Sequence, residues 1–137
     1  MAGPVIDASV ALAWMLPGEE LAQHARAVAD RVAADGALAP SIWRLEVANG
    51  LLSAARKGRI EPAAIAELTS RLVRLPIVID AETAARAWDS TVTLALEHRL
   101  TAYDAAYLEL ALRTGRPLAT YDRDLLGAAE AEGLERL

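Results

Sequence analysis

Four carboxylates stand out by context: Asp7, Glu46, Asp104 and Asp122. Asp7 interrupts "VIDASVALAW" directly after two β-branched apolar residues, and Asp122 ends "LATYD" in the same manner. Glu46 in "SIWRLEVANGLL" and Asp104 in "TAYDAAYLELAL" break otherwise apolar helical segments. Asn49 follows Glu46 by three residues and so shares its helix face. Two acids at strand ends and two near helix starts can meet at one edge of a sheet. Like charges brought together raise one another's pKa, so such a cluster is unfavourable when empty. A hard divalent cation removes the penalty. Mg²⁺ takes oxygen ligands and keeps several waters. Those waters can supply a nucleophile, and the ion can stabilise charge on a phosphoryl oxygen.

Each acid also has a structural alternative. Asp7 fits as the cap of the helix that follows it. Glu46 can pair with Arg44 or Arg56. Asp104 is an ordinary first-turn acid favoured by the helix dipole. Of Asp122 and Asp124, one caps a helix; Asp124 is taken as the cap and Asp122 as the ligand, because Asp122 lies nearer the strand. Asp80 also follows a strand, "PIVID", but nothing around it suggests chemistry. Ser9 and Thr120 are the polar residues nearest Asp7 and Asp122, suited either to bonding the carboxylates or to capping backbone groups.

The elements that must position these acids alternate in type. Val5–Ile6 reads as a short buried strand, and Ala8–Leu16 as the start of a helix broken at Pro17-Gly18. Glu20–Ala34 is helical, with Leu21, Ala25, Val28 and Val32 at spacings of three and four. Ala37–Ala39 is a second strand candidate. Ser41 is the expected N-cap of a helix that runs to Lys57-Gly58, with Ile42, Leu45, Ala48, Asn49 and Leu52 on one face. A helix over Pro62–Arg74 precedes the strand Pro76–Asp80. Ala81–His98 is helical in one or two pieces, and Thr101–Thr114 is helical up to Gly115. The strand Pro117–Tyr121 and the helix Asp124–Ala131 complete the pattern, leaving Gly133–Leu137 as the stub of a final strand. Alternating strands and helices predict an α/β fold, an open parallel sheet of about four to five strands with helices on both faces. Ligands sit beyond the carboxyl ends of such strands, where Asp7 and Asp122 fall.

The totals agree with one domain over residues 1–137. The chain is 54 % hydrophobic, Ala-rich and without Phe or Cys, which excludes disulfides, thiolate metal sites and a cysteine nucleophile. No apolar stretch approaches the roughly 20 residues of a membrane span. No signal-like N-terminus is evident, so a cytoplasmic location is expected. There are 19 acids and 14 bases, a formal charge of −5. Any nucleic-acid partner must therefore be held by a metal ion or a local basic patch. Lys57 is the only lysine; the Arg bias reads as codon usage ahead of phosphate chemistry. His24 and His98 lie outside every motif and are expected at the surface. Trp14, Trp43 and Trp88 are assigned to core or interface.

The pieces "VIDASVALAWML", "APSIWRLEVANGLLSAARKGRI", "LTAYDAAYLELALRTGRPLATYDRDL" and "AAEAEG" occur in this order over nearly the whole chain. Together they resemble a PIN domain, and within it the VapC-type toxin ribonucleases of type II toxin–antitoxin systems. The resemblance implies a PIN-like sheet with an acid cluster binding Mg²⁺ or Mn²⁺. It puts Asp7, Glu46, Asp104 and Asp122 at the acidic positions, Asn49 at the Asn after the Glu, and Thr120 at the hydroxyl before the last acid. It implies metal-dependent endoribonuclease activity that leaves 5′-phosphate and 3′-hydroxyl ends. It also implies a homodimer and a VapB-like antitoxin that reaches the carboxylates with an Arg. The Glu61–Arg74 helix and exposed tryptophans are candidate apolar interfaces. Arg44, Arg113, Arg116 and Arg123 are candidate contacts to RNA phosphates.

Two other readings compete. A phosphoaspartyl hydrolase would want an Asp at position 9 and a Lys at a strand end; position 9 is Ser, and Lys57 ends a helix. A catalytically silent interaction module, binding an antitoxin or RNA, is set apart by failure to bind Mn²⁺.

Overall fold

The computed structural model describes residues 3–16 and 22–137. The expected break at Pro17-Gly18, the helix start at Glu20 and the Leu21 contact lie outside them. Four strands, β1 (Val5–Ile6), β2 (Ala37–Ala39), β3 (Ile77–Ile79) and β4 (Leu118–Ala119), form a parallel sheet in the order β3-β2-β1-β4. The expected final strand is a single parallel bridge, Leu118 to Arg136. Both residues of β1 are fully buried, as a parallel strand covered on two faces requires. Val78 at the β3 edge is exposed.

The chain leaves β1, builds β2 and β3 on one side, then crosses back to place β4 on the other. Strand order therefore reverses at β1, and the crevice outside β1 and β4 is the place such sheets bind ligands. α1 (Ala8–Met15) follows β1, and α2 (Ala22–Asp35) leads into β2. In α2 the expected face is buried at Ala25, Val28 and Val32. α3 (Trp43–Arg56) and α4 (Ala64–Val73) connect β2 to β3. Between β3 and β4 run α5 (Thr83–Arg86), a π-helical turn (Ala87–Thr91), α6 (Val92–His98) and α7 (Ala102–Thr114); α8 is Arg123–Ala131. The π turn lies inside the stretch 81–98, expected as helical in one or two pieces, and widens the helix locally.

Three expectations fail locally. Ser41 does not cap α3: the helix begins at Trp43 after Ile42, and the Trp43 N–H bonds Pro40 O, so a tight turn replaces a side-chain cap. Next, the buried face of α3 is Trp43, Val47, Leu51 and Ala54, whereas Leu45 is 74 % exposed and Leu52 is 47 % exposed. The helix is apolar on two faces, and the sequence pattern selected the outer one. Finally, His98 is largely buried, its Nε2 2.6 Å from Glu132 Oε2. Trp43 enters the core, Trp14 is half-buried, and Trp88 is almost fully exposed.

Candidate metal centre

The four acids reach one pocket by one rule: each stands at the N-terminus of a helix. Asp7 caps α1, and its Oδ1 accepts from Val10 N–H at 3.2 Å. Glu46 and Asp104 lie in the first turns of α3 and α7. Asp122 caps α8, its Oδ1 accepting from Leu125 N–H at 2.9 Å. Asp122 is thus the cap in place of Asp124, which falls in the first turn, because α8 starts one residue earlier than its apolar pattern suggests. Capping and clustering are not alternatives here. Four helix N-termini, each carrying partial positive charge, let four carboxylates approach.

The pocket is lined by Asp7, Ala8, Ser9, Glu46, Asn49, Gly50, Asp104, Tyr107 and Asp122, with no basic side chain among them. Asp7 is 5 % exposed and the most constrained of the acids. Ser9 Oγ donates to its Oδ1 at 2.6 Å, and Thr120 Oγ1 donates to its Oδ2 at 2.5 Å. Each hydroxyl then accepts from the β4 side: Ser9 from Tyr121 N–H at 3.0 Å, Thr120 from Asp122 N–H at 3.0 Å. Both hydroxyls thereby tie the ends of β1 and β4 together. Asn49 is exposed at the pocket edge. Arg99, with a left-handed φ of 55°, closes α6. Thr101 then caps α7 by accepting from Asp104 N–H at 3.1 Å, which sets Asp104 at the rim.

Electrostatics separates this pocket from its surroundings. Burial raises the Asp7 carboxyl above its ordinary 3.8, against hydrogen bonds from Ser9, Thr120 and Val10, with Asp122 adding to the rise. Asp104 is raised by burial and then by the charges of Asp122, Glu46 and Asp7. Among the described residues no cationic side chain faces these acids. No three of the four bring ligand oxygens within 4.8 Å of one another; the trio that does, among the described residues, is Glu97, His98 and Glu132. The four carboxylates line one pocket but stand apart across it. An all-oxygen donor set, with no thiolate or imidazole, fits a hard divalent ion such as Mg²⁺ or Mn²⁺.

One contributor was missed in the sequence. Tyr107, one turn after Asp104, donates its hydroxyl to Glu46 Oε1. Burial pushes its phenol far above its usual range, and Glu46 pushes it further, so it remains a protonated donor. The available signal was a phenol inside the apolar run "AAYLELAL", spaced three residues from an acid.

The candidate arginines divide. Arg113 is engaged by Asp80 (2.7 Å), Glu109 (2.9 Å) and Glu82 (3.4 Å) and has no free charge to offer. Arg116 bonds Gly3 O at 3.2 Å, at the amino ends of β1 and β4, the wrong end of the sheet for the acids. Arg44 and Arg123 are exposed and form no ion pair among the described residues.

The sequence model of the PIN domain matches residues 5–131. The chain is similar to Ribonuclease VapC3 of Pyrobaculum aerophilum, with 33 % identity over 121 residues, 88 % of this chain and 90 % of that protein. It is also similar to PAE2754 of Pyrobaculum aerophilum, known from a crystal structure. That match has a TM-score of 0.69 at 28 % identity and covers 93 % of this chain and 79 % of the other.

Proposed function

Since the chain belongs to the PIN-domain family, we propose that it is a VapC-type toxin, a ribonuclease dependent on Mg²⁺ or Mn²⁺ and held in check by a VapB-like antitoxin. The observation that carries this reading is the pocket of four carboxylates with no cationic side chain, set at the strand-order reversal. Asp7, Glu46, Asp104 and Asp122 are the proposed ligands. When bound, the ion would neutralise the cluster, activate water and stabilise charge on a phosphoryl oxygen. The protein's own groups keep the ligands in place. Asp7 is immobilised by three donors, and Asp122 spends one oxygen on its helix and keeps the other for the pocket. Asn49, exposed at the pocket edge one turn from Glu46, is proposed to support the ligand carboxylates. Arg44 and Arg123 remain the proposed phosphate contacts.

A hydrolase that cuts RNA inside its own cell needs an inhibitor, and the exposed face of α3 suits one. Leu45 and Leu52 flank Asn49 there, an apolar edge next to an anionic pocket. An antitoxin segment with apolar residues and an Arg would match both. A homodimer and a cytoplasmic location complete the proposal; no helix among the described residues is long and apolar enough to cross a membrane.

The test is cleavage of a labelled structured RNA with Mg²⁺ or Mn²⁺, then with chelator, beside Asp7→Asn. Cleavage that needs metal and disappears in a folded Asp7→Asn protein is the expected result. Undiminished cleavage by that variant removes Asp7 from the reaction. Absence of both cleavage and Mn²⁺ binding in the parent protein favours a silent interaction module.

A further inference from the structure

Tyr107 has the largest fully buried side chain in the described structure and belongs to the main core. A buried phenol needs a hydrogen-bond partner, and this one reaches from α7 to Oε1 of Glu46 on α3, 61 residues away. The other acids are fixed by close neighbours or by the adjoining strand. Asp7 has Ser9, Val10 and Thr120; Asp122 has Leu125; Asp104 has Thr101. Among the described residues, Tyr107 is the donor that holds Glu46, and Glu46 Oε2 has no hydrogen bond. A Glu side chain rotates about three bonds, so without a donor its carboxylate is free to swing out of the pocket.

We propose that Tyr107 is a positioning residue: its neutral hydroxyl pins one oxygen of Glu46, leaves the other facing the pocket, and so sets the protein's affinity for a divalent cation. The proposal rests on the metal-centre reading above. Donating to Glu46 also draws charge from Oε1 and weakens it slightly as a ligand. The gain in orientation outweighs this, as when hydrogen-bond partners of metal-ligating groups are removed from other sites, where affinity falls about 10- to 100-fold.

The experiment is a calorimetric Mn²⁺ titration of four proteins: the parent, Tyr107→Phe, Glu46→Gln, and the double variant. Phe keeps the ring in the core. The expected result is about tenfold weaker binding in Tyr107→Phe, with less than twofold further loss when the same change is made on Glu46→Gln. Equal affinity in parent and Tyr107→Phe overturns the proposal and leaves the metal centre standing. Equal losses in both backgrounds also overturn it, since the hydroxyl would then act without Glu46. A parent protein that binds no Mn²⁺ overturns both readings. Should Tyr107→Phe not fold, fluorotyrosine in the parent protein decides. The Tyr107 resonance, assigned with Tyr103→Phe and Tyr121→Phe, should move with Mg²⁺ occupancy; a resonance fixed at saturating Mg²⁺ overturns the proposal.

Discussion

Asp7 and Asp80 both stand just past the carboxyl end of a strand in the same parallel sheet, and their surroundings differ in sign. Asp80 faces Arg113, whose guanidinium also holds Glu109 and Glu82. Burial alone would raise the Asp80 carboxyl. Hydrogen bonds from Arg113, the Glu82 backbone and Thr83, with the charge of Arg113, outweigh it and hold the group below 3.8. Asp7 has hydroxyl and amide donors but no cation, and its pKa moves the other way. The two sites show how one chain treats buried acid. Around Asp80 the neutralising charge is covalently part of the protein. Around Asp7 it has been left out, and helix N-termini replace it only in part.

The largest expected break in this contrast is Arg113→Ala. It strands Asp80 and Glu109, both mostly buried, without a counter-charge. Removing one partner of a buried ion pair costs about 3–5 kcal/mol. With side chains 17 % and 11 % exposed, the lower end of that range is expected, as a fall in urea midpoint. Metal binding by the molecules that remain folded should be unchanged. A stability loss below about 1 kcal/mol would mean that the network is an ordinary surface cluster.

Removing an acid from the pocket should do the reverse. Asp104→Asn relieves repulsion from Asp122, Glu46 and Asp7, so the metal-free protein should melt a few degrees higher. Mn²⁺ affinity should fall at least tenfold, because a charged ligand is lost. A variant that is less stable without metal would show that Asp104 serves the fold before it serves the site.

Acid titration sharpens the same comparison. Asp7 and Asp104 have raised folded pKa values, so the folded state holds their protons more tightly than the unfolded chain. Metal-free stability should therefore rise as pH falls from neutral toward 3.8 and gain nothing further below it. Asp80 has a lowered folded pKa, so its contribution is present above 3.8 and is lost as pH falls through its folded value. Melting temperatures against pH should show the rise shrink in Asp7→Asn, leaving the part due to Asp104, and the later fall shrink in Asp80→Asn. Saturating Mg²⁺ should suppress the rise, since it competes with the same protons.

Much of this contrast was readable before the fold. Strand-end position picked out Asp7, Asp80 and Asp122, and interruption of apolar helices picked out Glu46 and Asp104. Helix starts and strand ends are local features, so the sheet and the acid pocket follow from short stretches. Partners across the fold were not readable. Arg113 looked like a phosphate contact because its tie to Glu109 is local but its tie to Asp80 spans 33 residues. Tyr107 did not stand out, because its ring lies in an apolar run and packs in the core; only its hydroxyl belongs to the pocket. On α3, Leu45 and Leu52 match the buried residues in hydropathy, so pattern alone could not tell which face turns inward. Asp124 looked like the cap in place of Asp122 because one residue at a helix start is finer than periodicity resolves.

The smallest effect probes the spacing of the pocket without touching an acid. A Cβ at Gly50 would lie 2.4 Å from Leu12 Cδ1 and 2.8 Å from Cδ2, so α3 and α1 pack closely through this glycine. Asp7 caps α1, and α3 carries Glu46 one turn before Gly50. In Gly50→Ala the methyl must turn Leu12 aside or wedge the helices apart. Overpacking costs about 1–3 kcal/mol, offset by about 1 kcal/mol of helix propensity. A net loss near 1 kcal/mol is expected, with Mn²⁺ affinity reduced severalfold and the Arg113 network unaffected, since neither helix carries it. If stability falls while affinity holds, Leu12 has rotated and the spacing has survived. If affinity falls while stability holds, the helices have separated, and the distance between Asp7 and Glu46 limits cation binding.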